Sequence, residues 1–260
     1  VGGAERNARK RKQEAAAAAK AVAAASRKRD RTNLIAGIVV VVVIAVGIIG
    51  SVLLFGGQDS DVTSKAIPKV EVNATYPVKR EGDVIVAGKD TAKATIDLYA
   101  DFLCPGCRAF EERDGSKIQD KLNAGELKVR YHMVPLLVNQ STPAGYSLEA
   151  ANAALAITDA APAKFPDFFA SLYAKQPREK GPGYTNDQLI QLGRDLGVQG
   201  EDFANAIRNG AHKKAIEDAY AVTQKDPVFG PQGFPGTPSI VSGGKPVEHD
   251  QPTWLDDLLK

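Results

Sequence analysis

Two cysteines, Cys104 and Cys107, are the only thiols in the chain, and they stand three positions apart in Cys104-Pro105-Gly106-Cys107. At the start of a helix this spacing puts both sulfurs on one face, near enough to close a small-loop disulfide. Redox chemistry is the reading this favours. A lone C-x-x-C pair also fits half of a zinc site or two buried apolar residues. A four-cysteine zinc site needs a second pair that the chain lacks, and His132, His212 and His249 stand at no zinc-finger spacing. No metal site is therefore expected.

The chemistry follows from position. At a helix N-terminus, unpaired N–H groups and the helix dipole favour a thiolate, so Cys104 is expected as the exposed nucleophile, with a pKa below the ~8.5 of a free cysteine. Cys107, one turn inside, is expected to be shielded and to resolve a mixed disulfide. Pro105 suits the first helical turn and stiffens the active-site loop, and Gly106 adds no charge to it.

These residues need a strand and a helix to hold them. Residues 83–87 (DVIVA) and 95–102 (TIDLYADF) read as strands, the second running straight into the cysteines. Phe110, Ile118 and Leu122 give the following helix part of an apolar stripe, with a kink expected at Asp114-Gly115 and an end at Gly125. Residues 127–137 alternate as the next strand. The result is an α/β unit with the cysteines at a strand's carboxyl end, where parallel sheets place their chemistry. Residues 143–223 read as helical throughout, in segments 147–159, 165–175, 185–196 and 200–223. Thr185 and Gln188 stand at capping-box spacing. The stripe of Phe165, Phe168, Phe169, Leu172 and Tyr173 reads as core. A hairpin over 239–247 and a short helix over 252–259 close the chain.

The compartment is written upstream. Residues 34–55 are 22 uncharged, mostly apolar residues, long enough as a helix to span the ~30 Å core of a bilayer. Residues 1–33 carry ten basic and three acidic residues, which leaves a net charge of −5 on everything that follows. The positive-inside rule then puts this partly helical tail in the cytoplasm and all that follows residue 56 outside it. A cleaved signal peptide is the rival; the length of the run and the absence of a small-x-small site after Phe55 favour an uncleaved single-pass anchor. Residues 56–80, mixed in Gly, Asp, Ser, Lys and Pro, read as a tether. A negative exported part gives no footprint for nucleic acid. Outside the cytoplasm disulfides persist, so a chain with no other cysteine does not use them to hold itself together, and its two thiols serve other proteins.

The ordered motifs TIDLYADFLCPGC, RYHMVPLL, AANAAL, FFASLY and GTPSIVSGGKPV resemble the DsbA-like branch of the thioredoxin superfamily over nearly all of the exported part. The resemblance implies a thioredoxin fold over 81–260, interrupted by the helical insertion at about 143–223 and preceded by one transmembrane helix. It implies a membrane-tethered thiol–disulfide oxidoreductase with no cofactor beyond a Cys104–Cys107 disulfide. Its clients would be exported cysteine-containing proteins, and a membrane redox partner would reoxidise it. In that family the proline of the last motif is cis and faces the disulfide, which assigns Pro238 and its neighbour Thr237 to substrate binding. A relative's imidazole matches Gly106 here, and a buried acid of many relatives matches Leu98, so a milder oxidant is expected. Glu111 and Arg130 match an acid and a lysine of relatives and are candidates for a charged pair that tunes the site. Introducing disulfides is the favoured direction; a reductase or isomerase, and a non-catalytic tethered binding domain, are the alternatives.

Overall fold

The structure is a computed structural model, which describes residues 66–260. The expected basic tail, apolar span and first part of the tether lie outside the described residues, among which no helix is long and apolar enough to cross a membrane. Six strands form one mixed sheet: β1 (Val78–Glu81), β2 (Val84–Gly88), β3 (Ala94–Ala100), β4 (Leu127–Met133), β5 (Ser239–Ser242) and β6 (Lys245–Pro246). Their order is β1-β2-β4-β3-β5-β6, with β3 parallel to β4 and every other neighbouring pair antiparallel. The crossover between β3 and β4 is the helix α1 (Pro105–Ala124), which begins at the cysteines.

Alternation decides what each face of the sheet does. Ile96, Leu98 and Ala100 of β3 and Leu127, Val129, Tyr131 and Met133 of β4 join Phe110, Ile118 and Leu122 of α1 in the main core. The residues between them, Asp97 and Tyr99 with Arg130 and His132, point to the other face, where Tyr99 stacks on His132 at 4.4 Å. β4 stops at Met133, short of the expected residue 137. Pro135 follows two residues on and has no N–H for a ladder.

The insertion supplies α2 (Tyr146–Ala160), α3 (Phe165–Ala174), α4 (Asn186–Asp195), α5 (Glu201–Arg208) and α6 (Lys213–Thr223), and α7 (Trp254–Leu258) ends the fold. The last expected helix of the insertion is two helices, because Gly210 takes φ +63 and ends the first of them. The capping box at Thr185 and Gln188 is formed. The aromatic stripe of α3 is buried, and Phe165 and Phe169 both meet Tyr131 at 5.1 Å while Phe169 and Tyr173 meet Phe102 at 5.6 and 5.3 Å. Burying each such ring contributes roughly 2–3 kcal/mol, so these contacts seat the insertion firmly on β4 and on the turn that leads into Cys104.

Two stretches differ from the expectation of a free tether. Val78–Glu81 is an edge strand carrying charged residues, paired to β2 through a two-residue turn at Gly82-Asp83. Upstream of it the backbone N–H groups of Val70 and Val72 donate to Ser171 Oγ at 2.9 Å and Asp167 Oδ1 at 3.0 Å, and Ile67 and Tyr76 are buried. α1 runs unbroken through Asp114-Gly115. Asp114 is fully buried and paired with Arg113 and Lys117, which removes the reason for a kink.

Gly88 sits at φ +106 opposite Lys128, where an added Cβ would lie 2.6 Å from the Leu127 carbonyl oxygen. Gly82, at φ +66, has open space around it. Gly82→Ala should therefore cost about 1 kcal/mol from backbone conformation alone, and Gly88→Ala about 2–4 kcal/mol because the neighbouring strand must also move. Urea unfolding of the two variants checks this; equal losses would show that the close approach at Gly88 carries no cost.

Candidate active site

The chain leaves β3 at Ala100, makes a short buried turn through Asp101, Phe102 and Leu103, and enters α1 with Cys104 as its N-cap. Pro105 takes the first helical position, and the Cys107 and Arg108 N–H groups bond back to the Cys104 carbonyl at 3.1 and 3.2 Å. Both cysteines are free thiols. Cys104, expected to be exposed, is buried at the helix tip with 7% of its surface accessible, because Thr237 and Pro238 close over it; Cys107 is 2% exposed, inside the first turn.

The two thiols are pushed in opposite directions. Cys104 is lowered to about 6, first by the Cys107 thiol donating to its sulfur, then by Thr237 and the Cys107 and Gly106 amides, against the penalty of burial. Burial drives Cys107 well above the usual thiol range. One thiolate and one thiol thus share the turn at neutral pH, and the more deeply buried thiol supplies the hydrogen bond that stabilises the thiolate at the helix tip.

Across the loop lies the cis peptide Thr237-Pro238 at the entry to β5. The protonated Cys104 donates to the Thr237 carbonyl at 3.2 Å. The Thr237 hydroxyl is buried with no hydrogen-bond partner, and it is the group free to donate once Cys104 ionises. Gly106 explains the close fit, since a Cβ there would stand 3.2 Å from Pro238 Cδ and 3.6 Å from Cys104 Sγ. Beside this pair a cleft of about 380 Å³ is lined by Phe229, Thr237, Pro238, Ile240, Val247 and His249.

The expected tuning pair is not formed. Arg130 points to the opposite face of the sheet, where its Nε reaches Asp97 at 3.0 Å and its Nη1 reaches Glu81 at 3.5 Å. Period-two alternation in β4 is the reason: Tyr131, not Arg130, faces α1. Glu111 stays on the α1 side without an ion pair or hydrogen bond among the described residues, its carboxylate lying over Gly115, and burial raises it to about 7. No group of three or more His, Cys, Asp or Glu among the described residues could hold a metal ion.

The residues that sequence reasoning missed grip the loop from behind. Asp101, 1% exposed, accepts the Leu103 N–H at 2.8 Å and the Ser147 hydroxyl at 2.7 Å on Oδ1, and the Leu137 N–H at 2.8 Å on Oδ2. Its carbonyl accepts the Cys104 N–H at 3.0 Å and the Tyr173 hydroxyl at 3.1 Å. Gln176 Nε2 donates to the Phe102 and Cys104 carbonyls at 3.0 and 2.9 Å. The available signal was an acidic residue inside an otherwise apolar run, three positions before the first cysteine.

Alkylation of the reduced protein by a small electrophile should rise as Cys104 ionises near pH 6 and label Cys104 only. The sign is that of a lowered thiol: the thiolate adds stability to the reduced fold at high pH, and that stability is lost as pH falls through about 6. Thr237→Val should move the midpoint upward. A midpoint at the ~8.5 of a free cysteine would contradict this account of the site.

A thioredoxin family model, described as "Thioredoxin", matches residues 80–260. Among solved structures, the chain is similar to reduced DsbA of Mycobacterium tuberculosis, at 26% identity over 69% of this chain and 91% of that one, with a TM-score of 0.60. It is similar to the disulfide bond oxidoreductase DsbG of the same organism, at 26% identity over 78% and 91%, with a TM-score of 0.58. The MdbA thiol–disulfide oxidoreductase of Corynebacterium matruchotii shares the fold at 21% identity, covering 72% and 92%, with a TM-score of 0.62. A curated relative is the serine/threonine-protein kinase PknE of Mycobacterium tuberculosis, 26% identical over 181 residues, which are 68% of this chain and 31% of the kinase. The chain thus spans about a third of that relative's length. The match over most of the chain, together with the Cys104–Cys107 helix tip facing a cis proline, shows that this chain belongs to the thioredoxin family, among its DsbA-like members.

Proposed function

We propose that this protein is a membrane-tethered thiol–disulfide oxidoreductase that introduces disulfides into exported proteins through Cys104 and Cys107. The observation that carries the reading is the split between the two thiols: a helix-tip sulfur, bonded to Thr237 across the loop, lowered to about 6 beside a more deeply buried one held protonated. A pair so divided has a good leaving group at its accessible end. The 22 uncharged residues at 34–55, with the basic residues before them, support the tether and the extracytoplasmic placement. The relative named as a disulfide bond oxidoreductase supports the activity.

The chemistry balances in two steps. A client thiolate attacks Cys104 Sγ of the disulfide; the client S–S bond forms, the Cys104–Cys107 bond breaks, and Cys107 leaves and takes up a proton. A second client thiolate attacks the client sulfur of the mixed disulfide and Cys104 leaves as a thiolate. The client has then lost two electrons and two protons. The cysteine pair has gained both electrons, Cys107 holds one proton, and the other is released to solvent. A membrane protein that accepts the two electrons would restore the disulfide. The cleft beside Thr237 and Pro238 would hold the client, Pro238 offering no N–H to compete and Thr237 offering its backbone to an extended strand.

Cys107→Ala should trap clients as mixed disulfides on Cys104, released by reductant and absent when Cys104→Ser is added. Equilibration of the full chain with glutathione should give a potential well above the about −270 mV of thioredoxin. A potential near or below that figure would replace the oxidase with a reductase. Wild-type yield of an exported disulfide protein in the Cys104→Ser strain would support the non-catalytic binding domain instead.

A further inference from the structure

We propose that Asp101 is the positioning residue of this site: a buried carboxylate without a counter-charge, tied into the loop that carries Cys104, which opposes the Cys104 thiolate and so weakens the disulfide as an oxidant. The inference deepens the function proposed above and rests on Cys104 being the nucleophile.

The geometry comes first. The carboxylate is 1% exposed and is held by three donors from three segments, Leu103 in the loop, Leu137 after β4 and Ser147 in the first turn of α2. No ion pair to Asp101 exists among the described residues, although lysines, arginines and histidines pair with many of the other acids. The titratable groups whose charge is coupled to the carboxylate are Cys104 of the site, Tyr146 on α2, Tyr173 on α3 and Tyr220 on α6. Each is neutral or negative in every protonation state, so none offsets the carboxylate.

Burial lifts Asp101 to about 6, and its three donors keep it from rising further, so it is ionised at neutral pH. A second negative charge at Cys104 must then form against the first in a poorly solvated setting. The reduced protein holds that thiolate and the oxidised protein does not. The carboxylate therefore disfavours the reduced form selectively, and a less stable reduced form makes a weaker oxidant. Leu98 leaves no acid at the position where many relatives have one, and Asp101 puts one three residues further on.

The test uses the full chain as wild type, Asp101→Asn and Ser147→Ala, with ultraviolet thiolate absorbance followed against pH and the disulfide equilibrated with glutathione. Asp101→Asn should lower the Cys104 midpoint by roughly half a unit or more, about threefold in the thiolate equilibrium, and raise the equilibrium constant for oxidising glutathione by a similar factor. A residue that only held the loop in shape would shift the midpoint upward on removal, not downward. Ser147→Ala removes one donor but keeps the acid, so the carboxyl step in the pH dependence should move to higher pH. An unchanged or raised Cys104 midpoint in a folded Asp101→Asn protein overturns the inference. If that variant does not fold, the Ser147→Ala step decides: a step that moves up supports the inference and one that stays put overturns it. A wild-type Cys104 that titrates like a free cysteine would instead overturn the functional reading, and this inference with it.

Discussion

A single buried carboxylate ties the active-site loop to the rest of the molecule. Asp101 joins the turn before Cys104 to the segment after β4 and to the first turn of α2. A buried carboxylate is expensive to desolvate and is tolerated only where donors replace water. Three do so here, and each lies on a segment the carboxylate fixes in return. Tyr173 and Gln176 extend the same logic to the carbonyls of Asp101, Phe102 and Cys104. The helical insertion is thus more than a cover for the sheet. It supplies the side chains that satisfy the backbone of a loop too short to satisfy itself.

The site also shows how two thiols three residues apart acquire opposite character. They share a helix turn, and the helix end alone would favour ionisation of both. Burial separates them: Cys107 loses its water and stays protonated, and its thiol then becomes the strongest single donor to Cys104. Gly106 completes the arrangement by exclusion, since it brings no charge of its own and lets Pro238 close over the sulfur.

Much of this was legible in the chain. The strand, C-x-x-C, helix, strand order follows from periodicity and from proline at the first helical turn, and the aromatic stripe of α3 is core because helical spacing with five large apolar residues leaves little else. What could not be read depends on contacts between distant residues. Arg130 was paired with Glu111 by matching positions, yet alternation in β4 sends it to the other face, a point the strand pattern itself contained. Val78–Glu81 looked like tether because its charges suit an exposed edge as well as a loop. The apolar run around Asp101 hints at burial, but nothing local supplies all the donors that make a buried acid tolerable. That depends on Ser147 and Leu137 arriving from elsewhere in the fold.

Glu111 carries the other raised carboxylate near the site. Its carboxylate is raised by burial as Asp101 is, but no donor among the described residues meets it, and only the missing side chain of Gly115 leaves it room. Two acids near the site, one fully and one partly buried, therefore obey different physics. Asp101 is held ionised by hydrogen bonds and transmits a charge to the loop; Glu111, with desolvation unopposed, is raised further, to about 7, and is the more readily neutralised of the two. At neutral pH the charge that the nucleophile meets steadily is the one fixed by the loop's own scaffold. The distinction follows from the donors, not from the residue types.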